Sequence, residues 1–298
     1  MRVTQSMLAA NSLRNLSANY LKMGQDQDQL SSGKKINKPS DDPVAAMKGM
    51  SYRSDLASVG QYKRNVSELQ TWMDNSESGM NEANSALQRI RELVVQSQNS
   101  SLTDVDKQAI ADEVGQLQQH LVKTANTQVA GKYIFHGNDV LNPPVVQENP
   151  PKVAANLTDP KTNDYSIEVS SGVTLQANVN PANAFPQEMF DVVGSIQTTL
   201  QSSNSSSTNM DSLLTSLDKV MDTMSAERSE LGARSNRLDM VSNRLDQQEV
   251  TATQVLSDNE DVDMEKVIMD LTNQESVYRA SLSVGSRIIQ PSLMDFLK

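Results

Sequence analysis

The sequence predicts a mainly α protein. The expected architecture is an elongated antiparallel long-helix bundle, coiled-coil-like, built from both chain ends, with a small β-rich inserted domain. Three observations predict it. Leu213, Leu217, Val220, Met224, Glu227, Leu231, Arg234, Leu238, Val241, Leu245, Gln248, Ala252 and Val255 follow alternating steps of four and three, the period-3.5 seam of a helix that packs lengthwise on another. A second seam, Val66, Leu69, Met73, Ser76, Met80, Ala83, Leu87, Ile90 and Val94, keeps the same register. Between them, seven of the ten prolines fall in residues 136–186, which excludes long-helix packing there. The 213–255 rod contains no proline and only Gly232. At 1.5 Å per residue it would be roughly 65 Å long, and its stripe must be covered.

The elements follow in order. Residues 4–32 carry a weak helical seam of Leu13, Leu16, Tyr20, Met23, Gln27 and Leu30. Ser31-Ser32-Gly33 supplies the left-handed stop, with Lys34 and Lys35 beside the negative helix end. A loop over 36–42 leads to Asp42 as N-cap and Pro43 at the first helical position. The long helix carrying the Val66–Val94 seam ends at Asn99-Ser100-Ser101. Thr103 and Asp106 then form a capping box ahead of Ile110, Val114, Leu117 and Leu121, giving two antiparallel helices. In the insertion, Tyr165, Ile167 and Val169 alternate, Ser170-Ser171-Gly172 turns, and Val173, Leu175, Ala177 and Val179 alternate again, a hairpin. Helices are excluded from this stretch. Helical spacing returns at Met189, Val193, Ile196 and Leu200, and a serine-rich break over 202–209 precedes the rod. The register fails at 259–263. A last seam follows: Met264, Ile268, Leu271, Glu275, Tyr278, Leu282, Gly285 and Ile289, stopped by Pro291.

The first and last helices are expected to pair, because no other local segment covers either stripe. Neither seam is fully apolar, so the pair exposes more stripe than it covers and is expected to finish folding against neighbours. This divides the chain into terminal helices for assembly (1–42 and 261–298), a long-helix bundle (43–135 and 187–260) and the insertion (136–186). The candidate interface residues at the first end are Leu13, Leu16, Tyr20, Leu30, Gly33, Ile36, Asn37 and Asp42. At the other end they are Leu271, Tyr278, Leu282, Ile289, Leu293, Phe296 and Leu297.

Catalytic chemistry finds no foothold. The net charge of −11, with no basic block, argues against nucleic-acid and anionic-membrane partners. Cysteine is absent, which removes disulfides, thiol catalysis and cysteine-based zinc sites. His120 and His136 are isolated and read as surface or packing residues. The acidic run at 258–265 lacks the glycine and spaced glutamate of a calcium loop and reads as an acidic helix start. Asp41-Asp42 beside Pro43 reads as capping, and Gly33-Lys34 lacks the earlier glycine of a phosphate loop. No catalytic residue, cofactor or metal is expected. The first ten residues carry no cleavable leader pattern and no run of apolar residues is long enough to span a bilayer, so a cytosolic location or signal-less export is expected.

Leu30-Ser-Ser-Gly-Lys-Lys-Ile-Asn-Lys-Pro-Ser-Asp-Asp-Pro-Val-Ala-Ala46 resembles the N-terminal signature of the bacterial flagellin superfamily. Gln88-Arg-Ile-Arg-Glu-Leu-Val-Val-Gln96 is similar to its second-helix segment, and Asp261-Val-Asp263 before a terminal helix is similar to its C-terminal region. Pro39, Asp41-Asp42-Pro43-Val44, Gly131-Lys-Tyr-Ile-Phe-His-Gly137 and the closing 285–297 segment are more similar to the hook-associated junction branch than to filament subunits. The resemblance implies a structural adaptor between flagellar hook and filament, exported unfolded through the type III apparatus without a cleaved signal. Its implied partners are the first hook-associated junction protein (FlgK type), flagellin, a FlgN-type export chaperone and copies of itself in a ring. Filament flagellin is the alternative of the same class. A cytosolic coiled-coil scaffold or signalling protein is the alternative from another class, which would form a stable coiled-coil oligomer.

Overall fold

The computed structural model describes residues 5–99, 102–148, 150–154, 165–202 and 207–289. Seven helices and three two-stranded antiparallel ladders are seen among them: α1 Gln5–Ser32, α2 Pro43–Ser97, α3 Asp104–Ala125, α4 Pro181–Ala184, α5 Gln187–Gln201, α6 Ser207–Glu260 and α7 Met264–Ile289. The strands are β1 Gln128–Val129, β2 Lys132–Tyr133, β3 Val145–Val146, β4 Lys152–Val153, β5 Ser166–Ser170 and β6 Val173–Gln176. The protein is mainly α with long antiparallel helices, as expected, and its strands are few and short.

The chain divides into two compact units, residues 59–246 and residues 1–58 with 247–298. The 59–246 unit holds the hydrophobic core. All nine seam residues of α2 from Val66 to Val94 are buried. On α6, Leu217, Val220, Met224, Leu231, Leu238, Val241 and Leu245 are buried in the same cluster. Each large apolar side chain so buried contributes about 1.5–3 kcal/mol of transfer free energy. Cross-helix pairs fix direction. Gln98 bonds Asp211, Arg91 bonds Asp218 at 2.7 Å and Lys63 pairs with Asp246 at 2.7 Å, so α2 and α6 run antiparallel. Arg89 with Glu113 and Glu82 with His120 orient α3 antiparallel to α2 in the same way. The Thr103–Asp106 capping box starts α3, with both reciprocal bonds present.

Two seam positions of α6 are polar for a structural reason. Glu227 is buried and accepts hydrogen bonds from the Asn180 backbone N–H and the Asn183 amide, each at 2.9 Å. Arg234 donates to the Asn178 carbonyl at 3.0 Å. Both bond the segment 178–183 at the end of the insertion. The insertion is fastened elsewhere by the same device. Asn126 bonds both backbone groups of Val145, and Gln187 accepts from Val153 and donates to the Pro151 carbonyl. The β5–β6 hairpin pairs Ile167 with Leu175 and shifts register between Glu168 and Ser170, and Gly172 in its turn takes φ +71°.

Three expectations are corrected. Helices are not excluded from 136–186: α4 makes one turn there, because Asn180 caps it and Pro181 occupies the first turn, where its missing N–H costs nothing. Ladder pairing begins before residue 136, in the β1–β2 hairpin around Ala130-Gly131. The acidic run at 258–265 is not simply a helix start: residues 258–260 close α6, and Asp263 alone caps α7, bonding the Lys266 N–H at 3.2 Å.

Candidate functional site

The unit made of residues 1–58 and 247–298 is built from the last turns of α6, the first turns of α2, and α1 and α7. α1 packs against α7. Tyr20 lies on Tyr278 with ring centroids 6.2 Å apart, and Lys34 pairs with Asp261, so the two helices run antiparallel.

Both helix breaks of this unit are tied together. Gly33 ends α1 with φ +68°, its N–H bonding the Gln29 carbonyl at 2.8 Å. The Lys35 N–H donates to the Glu260 carbonyl at 2.6 Å, and the Val262 N–H to the Gly33 carbonyl at 3.1 Å. Side chains close over this backbone bridge. Lys34 Nζ meets Asp261 Oδ1 at 2.5 Å and Glu260 Oε2 at 3.6 Å, and Arg53 reaches Glu260 Oε2 at 2.7 Å. The Glu260 side chain is only 8% exposed. It lies against Gly49 of α2, where a side chain would collide with its carboxylate. Asn259 adds a bond to the Ala45 carbonyl at 3.0 Å. The hydrogen bond from Lys34, then one from Ser257, holds the Asp261 carboxyl below its usual range; the same Lys34–Asp261 bond pushes the Lys34 ammonium up.

The expected interface residues divide between clasp and open surface. Asp42 caps α2, accepting from the Val44 and Ala45 N–H groups at 3.0 Å each. Asn37 donates to the Asp28 carbonyl, and its N–H, with that of Lys38, reaches the Asp41 carboxylate, which holds the loop. Leu16, Leu30, Ile36, Leu271 and Tyr278 are half-buried, whereas Leu13, Tyr20 and Leu282 are exposed. Ile289 is the last helical residue of α7 and its side chain lies outside the described atoms; Leu293, Phe296 and Leu297 lie outside the described residues. Sequence reasoning missed Gly49, Arg53, Asn259 and Glu260. The register failure at 259–263 was the signal that pointed near them.

What sets this unit apart is how little apolar surface it buries. Val267 is its one buried hydrophobic residue among those described, and it stands outside the core cluster. Val44, Met47 and Met50 of α2, Val250 and Val255 of α6, and Met264, Ile268, Met269, Val277, Leu282 and Val284 of α7 are exposed. The α6 seam that is buried through Leu245 is exposed at Gln248 and Val255 and half-buried at Ala252. These apolar side chains stand on the three helices of the terminal unit that carry the expected interface residues or adjoin them. Among the described residues, no three His, Asp or Glu side chains group as a metal site, and no helix is long and apolar enough to cross a membrane.

A buried core within residues 59–246 and terminal helices that expose apolar side chains define a helical-bundle protein. The family model of the bacterial flagellin N-terminal helical region matches residues 3–139, and that of the bacterial flagellin C-terminal helical region matches residues 214–297. The chain belongs to the bacterial flagellin family. It is 29% identical over 187 residues to a flagellin of Clostridium tyrobutyricum, covering 62% of this chain and 46% of that one. It is 26% identical over 218 residues to flagellar hook-associated protein 3 of Escherichia coli K12, covering 72% and 64%. Its fold is that of Bacillus cereus FlgL, with a TM-score of 0.59 at 21% identity, covering 70% of this chain and 99% of that one. The chain thus spans less than two-thirds of the length of these curated relatives.

Proposed function

We propose that this protein is a structural adaptor of the FlgL type, hook-associated protein 3, which forms a layer at the junction between flagellar hook and filament. The observation that carries this reading is the contrast between the two units: one buries a full core, the other buries only Val267 among its described hydrophobic residues and leaves many apolar side chains exposed. A surface of that kind gains its stability from identical or related subunits, so ordering accompanies assembly. Contacts of the heterologous type then extend as a ring or helical layer instead of closing as a dimer. In this reading the chain performs no catalysis. It is exported through the type III apparatus, meets the FlgK-type junction protein on one side and flagellin on the other, and is held by a FlgN-type chaperone before export.

The filament-flagellin reading rests on the matched flagellins. The junction reading is favoured over it because the shared stretch accounts for more of the hook-associated protein than of the clostridial flagellin. Gold-labelled antibody against this chain, applied to purified flagella with hooks attached, tests the choice. The expected label is a single band at the hook–filament boundary, with the chain a trace component of sheared filaments. Label spread along the filament would establish the flagellin reading instead.

A further inference from the structure

We propose that five methionines of the terminal unit, Met7, Met47, Met50, Met264 and Met269, form a peroxide-sensitive modification site: their oxidation to the sulfoxide stops the subunit from joining flagella while its core stays folded. The selectivity of the oxidation stands on the structure alone; its effect on assembly rests on the proposed adaptor function.

The methionines of this chain are sorted by unit. Met73, Met80, Met189, Met210 and Met224 lie in the core of residues 59–246, none more than 3% exposed. The five of the terminal unit are 44–63% exposed, and none of its described methionines is buried. They stand among other exposed apolar side chains. Val44, Met47 and Met50 follow at steps of three along α2. On α7, Met264 lies one turn before Ile268 and Met269 directly follows it.

A leucine at any of these places would be as apolar and could not react, whereas a thioether can. Its sulfur attacks one oxygen of hydrogen peroxide. An S–O bond forms, the O–O bond breaks, and the proton on the attacked oxygen passes to the departing hydroxide, which leaves as water. Sulfur loses two electrons and the peroxide gains them. The product carries a polar oxygen on a formerly apolar side chain. Burying that oxygen against a neighbouring subunit without a hydrogen-bond donor is unfavourable. Peroxide reaches the exposed sulfurs and not those packed in the core, so the chemistry falls on the terminal unit and spares the fold.

Mass spectrometry of peptides from peroxide-treated, full-length native protein tests the first half. The five methionines are expected to oxidise at least roughly tenfold faster than Met73, Met80, Met189 and Met224. Equal rates overturn the selectivity. Treated and untreated chain are then added to isolated hooks from cells that lack it. Binding of the treated chain is expected to fall severalfold with its helical circular dichroism unchanged, and to recover after enzymatic reduction of the sulfoxides. Undiminished binding, loss without recovery, or unfolding overturns the inference. The combined variant Met7→Leu, Met47→Leu, Met50→Leu, Met264→Leu and Met269→Leu is expected to bind before and after peroxide. Met240→Leu, which changes an exposed methionine of the other unit, is expected to stay as sensitive as the wild type. Loss of binding in the treated combined variant, or protection by Met240→Leu, overturns the inference too. Failure of the adaptor function would show separately, as untreated wild-type chain that does not bind hooks.

Discussion

Glu260 rests on Gly49: its carboxylate occupies the space that a methyl group on residue 49 would need. The two are far apart in sequence, and the absence of a side chain at 49 lets Glu260 lie flat on α2 while it takes Arg53 and Lys34. Gly49→Ala normally gains about 1 kcal/mol in a helix interior. Here overpacking costs about 1–3 kcal/mol and displaces the carboxylate from its cations. The expected result is a net loss of stability, read as a lower denaturation midpoint of the terminal unit. In Glu260→Ala the same glycine substitution should be neutral or stabilising, and additivity of the two changes would contradict the contact.

The clasp has a defined pH range. Asp261 is held low, so its contribution is present above the ordinary carboxylate value near about 3.9 and is lost as pH falls through its lowered value. Lys34 is held high, so its contribution is present below about 10.4 and is lost as pH rises through its raised value. The bridge should therefore hold across the neutral range and open in acid. Protection of the Val262 amide, followed by NMR between neutral pH and strong acid, should fall modestly in the wild type, and that fall should be smaller in Asp261→Asn.

Glu227 offers a test in which sequence pattern and structure disagree. Leucine at 227 would perfect the α6 seam. It would also leave the Asn180 N–H and the Asn183 amide without their acceptor. A buried group so stranded costs about 1–3 kcal/mol. Glu227→Leu should lower the denaturation midpoint by that order, despite its better heptad.

Removal of residues 283–298 should abolish incorporation into flagella and leave the 43–260 body folded. Circular dichroism melting measures the second effect and flagellar fractionation the first. A truncated chain that still incorporates would contradict assembly through the terminal helices.

The long helices were legible because burial there obeys one period. All nine α2 seam positions are buried, and α6 follows its heptad from Leu217 to Leu245. Past that point the pattern continued while burial did not, at Gln248 and Val255, because the period records what a helix is made to cover and not whether the cover is present. The Asp42 cap and the Thr103–Asp106 box were readable because caps are local. The insertion was only partly readable. Its ladders are short, and Asn126, Gln187 and Glu227 hold it by single side chains bonded to backbone, which leave no periodic trace. The Gly49–Glu260 contact left no trace either, since a glycine inside a helix announces neither what approaches it nor from how far along the chain.

The backbone bridge between Gly33 and Val262 also implies an order of events. Joining points so distant costs about 5 kcal/mol of loop-closure entropy. The two backbone bonds return about 1 kcal/mol each, and the partly exposed ion pairs beside them add little. On its own the latch cannot shut. Pairing of α2 with α6 must first bring its halves within reach, so the bridge closes only on a body already folded and is released without unfolding it.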